Sequence, residues 1–337
     1  MSMMSRRARG HWATVSLLLI AAAAGLAGLC LGDYPISLQG VVDVALGHGS
    51  RLDTTVVLGT RAPRTCGALL VGACLGLAGA LTQTLARNPL ASPDVLGITH
   101  GASAAAVTVI VVGPLLGLNA GSSAVATAAL VGAGVVMAVV WLLSWRRGID
   151  PLRLVLMGVA MSALLNGWTL YLISAADLNR AAEAKVWVSG SLSAMTWQVM
   201  GAAAGALLVV AALGRWLAFE LRALHLGSRV AAGLGAPVAL VQACVLGSAV
   251  ALSAGAVAAA GPVGFVAFVA PHITARVAAS PVASLPGAAA AGAALLTAAD
   301  LVARFALSWE VPVGLVTSAI GAPVLIYLVI KQARKES

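Results

Sequence analysis

Few side chains in this 337-residue sequence can do chemistry, because only 9% of it is charged and it holds five histidines and four cysteines. Asp300 and Arg304 stand four residues apart, a spacing that puts both on one face of a helix. The pair suits a structural ion pair, and it also sets a carboxyl where a proton relay would need one. Pro271-His272 invites a metal or proton role, but no second ligand lies near, and a histidine bonded to backbone is the plainer reading. Cys30, Cys66, Cys74 and Cys244 sit in apolar runs without the paired spacing of a metal site or a disulfide framework, and read as small buried hydrophobes. Lys185, Lys331 and Lys335 all lack the glycines of a G-x-x-x-x-G-K-S/T phosphate loop, and G-x-S-x-G and H-E-x-x-H do not occur. The expectation is a chain with no catalytic residue, no metal site and no cofactor of its own, unable to hydrolyse ATP by itself.

The elements that position these residues follow from composition. With 61% hydrophobic residues and a mean hydropathy of +1.00, the chain cannot cover a water-soluble surface, for which roughly a quarter of residues are charged. A bilayer is the implied solvent, and each crossing takes about 20 apolar residues. Apolar runs fall near 12–31, 62–83, 95–113, 121–144, 152–174, 197–217, 237–258, 262–279, 284–305 and 312–330. This predicts an all-α polytopic membrane protein of about ten transmembrane helices, with residues 1–337 forming a single transmembrane domain. The eighth run is broken by Gly261-Pro262, Gly264 and Pro271, and is expected to be short or irregular. The first run exceeds the apolar core of a secretory signal and is followed by no A-x-A site, so it reads as an uncleaved first helix.

A net charge of +9 could suggest a nucleic-acid partner. The positions of the charges argue otherwise. With Arg6, Arg7 and Arg9 inside and ten crossings, both termini are cytoplasmic, and 14 of the 20 basic residues fall inside with four of the 11 acids. The balance is +10 inside against −1 outside, which is the positive-inside rule and needs no nucleic acid. Outside remain Arg51, Arg61, Arg64, Arg180, Lys185 and Arg304.

Glycine is concentrated in the spans, as in Gly72-Ala73-Cys74-Leu75-Gly76-Leu77-Ala78-Gly79, where small residues let helix backbones approach closely in lipid. Ala78-Gly79-Ala80-Leu81 before Asn88-Pro89 is echoed by Ala254-Gly255-Ala256-Val257 before Gly261-Pro262, compatible with an inverted repeat and with chance in so Ala/Gly-rich a chain. The longest cytoplasmic stretch, 215–237, reads as short helices punctuated by Gly227, Gly233 and Gly235. Its Leu221, Leu224, Leu226, Val230 and Leu234 offer an apolar surface for a groove on a partner, or for packing beneath the bundle.

Motifs along the whole chain resemble the FecCD-type permease subunits of ABC importers for ferric siderophores, haem and vitamin B12. They are Arg61-Ala62-Pro63-Arg64, Gln83 through Gly97 followed by Gly101-Ala102, Trp187 through Leu192, Gly261 through Phe265 with Pro271-His272-Ile273, and Glu310-Val311-Pro312-Val313-Gly314 with Gly321-Ala322-Pro323. The resemblance implies ten helices in a subunit paired with a second permease subunit, as a homo- or heterodimer, in the bacterial plasma membrane. It also implies two cytoplasmic ATPase subunits carrying ATP-Mg, and an extracytoplasmic binding protein that delivers an iron-siderophore complex, with haem or cobalamin as other family cargo. The 215–237 stretch becomes the coupling element through Leu221, Leu224, Leu226, Gly227, Arg229, Ala232, Gly233, Leu234 and Gly235. Arg61, Arg64 and Arg304 match positions that receive acidic residues of the binding protein, a role suited to the bidentate guanidinium. Gln83, Asn88, Pro89, Gly261 and Pro262 are candidates for the pathway or its gate. The competing reading from the residues is a carrier driven by an ion gradient, with Asp300 as its coupling site.

Overall fold

The computed structural model describes residues 3–117, 121–144, 151–225, 227–280, 282–306 and 309–336. Among them all regular structure is helical. The α-helices are α1 (Met3–Cys30), α2 (Leu38–Ala45), α3 (Arg51–Val56), α4 (Ala62–Ala86), α5 (Ile98–Val112), α6 (Ser122–Ser144), α7 (Pro151–Ala175), α8 (Leu178–Val188), α9 (Gly201–His225), α10 (Ser228–Gly233), α11 (Val238–Ala260), α12 (Val266–Val277), α13 (Leu285–Phe305) and α14 (Val313–Glu336). Each of the ten predicted apolar runs contains one of them. Eight helical stretches are long and apolar enough to cross a membrane, and two shorter apolar ones are Val266–Val277 and Val313–Tyr327.

The short α12 has a local cause. Gly261 adopts φ 68° and ψ −175°, a conformation open only to glycine, and a side chain there would also lie 2.4 Å from the Trp187 carbonyl oxygen. Pro262 follows, helix resumes only at Val266, and Pro271 then removes an N–H from its interior. Twelve residues rise only about 18 Å, too little for a span. The irregular Gly261–Phe265 stretch is held inside protein, the one setting in which non-helical backbone is tolerated at membrane depth. Ser191 donates to the Ala260 carbonyl, and Gly314 donates to that of Gly190.

The helix-and-turn surroundings of α4 were not predicted at full length. Arg51–Ala86 is one continuous rod of 36 residues, roughly 54 Å long, far more than the hydrocarbon core needs. Val57–Arg61 forms a widened π turn ahead of Pro63, which has no N–H to give to the preceding turn. Most residues along the apolar part of the rod are buried, whereas few of those along α7 and α9 are. Around it lie α9, α11, α12 and α13 in one apolar core; α5, α6, α7 and α8 form a second, and α11 joins the two.

Backbones touch where the glycines are. An added Cβ at Gly72 would stand 2.4 Å from the Gly292 carbonyl oxygen, at Gly292 2.1 Å from that of Gly72, and at Gly76 2.1 Å from that of Ala288. Helices in lipid gain little from burying apolar surface, so this close fit supplies the attraction between α4 and α13. Many hydroxyls on the spans are satisfied inside their own helices, as in Thr82 to Ala78, Ser103 to Thr99 and Thr169 to Leu165, whereas among the described residues those of Ser144, Ser253 and Thr297 are buried without a partner. Gly76→Val is expected to destabilise the fold by more than the ~1–3 kcal/mol of ordinary overpacking, because it meets backbone. Gly134→Ala, with nothing within 4 Å, should be neutral; thermal unfolding of the two purified variants checks both.

Candidate functional site

Three arginines predicted to face outward meet at one end of α4. Arg61 is 6% exposed. Its guanidinium donates to the carbonyls of Leu29, Cys30 and Tyr34, satisfying the orphan carbonyls at the end of α1. Gly32, at φ 151°, makes room for it, since a Cβ there would stand 2.4 Å from the guanidinium. Arg61 is thus consumed as a helix cap.

Arg64 grips two acids. Its Nε and Nη2 form a fork on Asp300, Nε donating to Oδ2 at 3.1 Å and Nη2 to Oδ1 at 2.7 Å, and Nη1 lies 2.8 Å from Glu310 Oε1. The Asp300–Arg304 pair suggested by spacing is present but long, at 3.8 Å. Arg304 also donates to the Gly28 carbonyl at 3.4 Å and lies 4.9 Å from the Phe305 ring centroid. Asp300 therefore serves chiefly as the counter-ion of Arg64, 236 residues away in sequence, and Arg304 is left loosely bound. A cavity of about 700 Å³ opens over this cluster, lined by Tyr34, Arg64, Ser193, Arg304, Trp309 and Glu310 among others. On its rim, the charge and hydrogen bond of Asp53 hold the Tyr34 phenol above its ordinary pKa.

At the opposite end of α4, Arg87 takes a left-handed conformation, φ 48°. Asn88 N–H reaches the Gln83 carbonyl and Arg87 N–H that of Thr84, which closes the helix in a Schellman turn. Asn88 Oδ1 accepts from Leu90 N–H at 2.9 Å, so Asn88-Pro89 build the turn that follows. Gln83 Nε2 crosses to α12 and donates to the Phe268 carbonyl at 3.1 Å, where His272 Nδ1 also lies, 2.9 Å away. Pro271 leaves the Ala267 carbonyl without its helical donor, and Gly79 lets α4 close onto that oxygen: a Cβ there would stand 1.7 Å from it. Gln83, Asn88, Pro89, Pro271 and His272 line a cavity of about 380 Å³. The candidates for a gate thus separate: Gln83, Asn88 and Pro89 gather here, while Gly261 and Pro262 lie against Trp187 and Gly190.

The 215–237 stretch departs from the expected loop. Residues 215–225 continue α9, since no glycine or proline interrupts Arg215 through His225. Leu221 and Leu224 face the core instead of a partner, and Arg87 Nη2 donates to the Leu224 carbonyl at 3.3 Å. Gly227 at φ 112° and Gly235 at φ 84° bracket α10, which contains Arg229. Ala232, Gly233, Leu234 and Gly235 are exposed, Leu234 at 68%. Leu226 lies outside the described residues.

Among the described residues the chain is a closely packed helical bundle with a charged, cavity-bearing cluster at one end of α4. A model described as the FecCD transport family matches residues 17–331, and the chain belongs to that family. It is 39% identical over 324 residues to the ferric enterobactin transport system permease protein FepG of Escherichia coli (strain K12), covering 95% of this chain and 96% of FepG. It is 37% identical over 317 residues to the achromobactin transport system permease protein CbrC of Dickeya dadantii (strain 3937), covering 94% and 90%. Over 308 residues it is 35% identical to the iron(3+)-hydroxamate import system permease protein FhuG of Bacillus subtilis (strain 168), covering 90% and 92%. A solved inward-facing conformation of a metal-chelate type ABC transporter matches with a TM-score of 0.79 and 25% identity, covering 96% of this chain and 99% of that one.

Sequence spacing alone missed Arg64 as the partner of Asp300. The residue types were visible, but the helix-to-helix register that joins them was not. Removing one member of a buried pair leaves the other charge uncompensated, at a cost of roughly 3–5 kcal/mol. Arg64→Met is therefore expected to unfold well below wild type, and Arg64→Met with Asp300→Asn to recover much of the loss, as measured by thermal denaturation in detergent.

Proposed function

We propose that this chain is the membrane-spanning permease subunit of an ATP-binding-cassette importer and forms half of the translocation pathway for a ferric siderophore. The observation that carries this reading is similarity over nearly the whole chain to permease proteins of ferric enterobactin, achromobactin and iron-hydroxamate systems. The chain crosses the bacterial cytoplasmic membrane ten times with both termini inside, as its charge asymmetry supports. ATP-Mg acts on two partner ATPase subunits, and the permease itself performs no covalent chemistry.

A second permease subunit covers the poorly buried faces of α7. Asn166 supports this: it is exposed near the middle of that apolar helix, where lipid could not satisfy its amide. A neighbouring subunit or a water-filled pathway between the two subunits can. The exposed turn from Ala232 to Gly235 docks on the ATPase, while buried Leu221 and Leu224 anchor it to the core and make α9 a rigid connection. The extracytoplasmic binding protein docks over the 700 Å³ outer cavity, with Arg64 and Arg304 as its charged contacts and Arg61 bracing the platform from below. The pathway narrows at the other end, where Gln83 ties α4 to the proline-broken α12.

Uptake of radiolabelled iron as ferric siderophore, in cells lacking this chain and in complemented cells, tests the cargo. Uptake is expected only with the chain present, and to fail on ATP depletion while the proton gradient is held; uptake that instead follows the gradient would reject the importer reading. Gly233→Arg with Leu234→Asp is expected to lower transport at least about tenfold, the scale of a lost interface hot spot, with unchanged abundance in the membrane. Wild-type transport by that variant would reject the coupling role.

A further inference from the structure

We propose that Glu310 is a built-in substitute for the acidic side chain of a docking protein: its carboxylate occupies the outward edge of Arg64 until an incoming carboxylate displaces it. This rests on the reading of the outer rim as the binding-protein platform.

The geometry separates the two acids on Arg64 by their freedom to leave. Asp300 takes the Nε–Nη2 edge through a fork, has Arg304 as a second neighbour, and its side chain is 4% exposed. Releasing Asp300 would strand a buried charge. Among the described residues Glu310 meets Arg64 at Nη1 through one contact at 2.8 Å, and its side chain is 46% exposed. It can swing into water and lose little. The guanidinium that remains, 13% exposed on the cavity wall, then presents a free donor edge of the kind carboxylates recognise. Arg61, Arg64 and Arg304 face Asp33, Asp300 and Glu310 around this cavity. Departure of Glu310 removes one negative charge from beside Arg64 at the moment an acid arrives. Exchanging one carboxylate for another keeps the gain small, so the docked protein can leave again.

The position of Glu310 in the chain gives the exchange a consequence. It lies between α13 and α14 in a non-helical segment whose backbone is pinned by Val311 N–H to the Ala303 carbonyl. Three residues on, Gly314 donates to the Gly190 carbonyl, and a Cβ there would stand 2.2 Å from the Ser189 oxygen. Displacing Glu310 loosens the link that holds this segment to α4, at the turn that also abuts Pro262.

The test uses the permease assembled with its partner subunits in lipid nanodiscs and the purified cognate binding protein, with affinity and dissociation rate measured at low and moderate salt. Glu310→Gln is expected to tighten binding about threefold to fivefold, the range of a half-exposed ion pair, mostly through slower dissociation, and less at higher salt. Glu310→Ala should do the same, showing that loss of charge is responsible. Arg304→Glu serves as the control for docking and should weaken binding. Unchanged or weaker binding by Glu310→Gln and Glu310→Ala, with Arg304→Glu weakened, would overturn the substitution role and leave the docking reading standing. No effect of Arg304→Glu would overturn the docking reading itself. Should both Glu310 variants melt early, Glu310→Asp keeps the charge but draws the carboxylate back by one methylene; it is expected to tighten binding by a smaller factor, and unchanged binding would count against the proposal.

Discussion

The register of α4 against α13 governs the rest of the molecule. Gly72 faces Gly292 and Gly76 faces Ala288 with backbone in contact, so the two antiparallel helices cannot slide past one another. Eight residues back from Gly72 along α4 is Arg64, and eight forward from Gly292 along α13 is Asp300. Both lie about 12 Å, two helical turns and more, from the glycine contact. The small residues therefore place the guanidinium at the level of the carboxylate, and the buried ion pair is a product of a packing decision made elsewhere. In lipid, where apolar burial does not drive helix association, the fit of backbone on backbone and this single desolvated pair carry that interface together.

The two ends of α4 are built by different physics. At one end, charge is scarce and fully used: Arg61 caps α1, Arg64 bridges two acids, and Arg304 is held loosely. At the other end Arg87 donates to the Leu224 carbonyl, and carbonyl oxygens of the α12 backbone, that of Ala267 released by Pro271 among them, are met by a glycine, a glutamine and a histidine. Contacts of this second kind are weak singly and easily exchanged.

The helical class and the place of nearly every span were legible in the sequence, because apolar length and punctuating Gly and Pro are local properties. So were the short eighth helix and the family. In the 215–237 stretch the sequence left two uses open for the leucines, a partner's groove or packing beneath the bundle, and the fold divides them: Leu221 and Leu224 turn inward on a continuation of α9, while Val230 and Leu234 turn outward. Periodicity shows that a stretch has an apolar face and not which neighbour covers it. The π turn ahead of Pro63 and the short helix α3 that leads into it were likewise invisible, since neither falls in a predicted apolar run.

Taken by itself, the sequence determined the solvent, the helical class with the place of its long apolar helices, and, through motifs that resemble one family, the kind of protein this is, all of which follow from residues close together in the chain. Tertiary structure decided what each rare charged side chain does. Spacing joined Asp300 to Arg304, but packing gave Asp300 to Arg64 and turned Arg61 into a cap. It also set Glu310 on the remaining edge of Arg64. The reason is that an ion pair between helices depends on their register, and the register is fixed by the glycines at which their backbones meet, more than 200 residues apart along the chain.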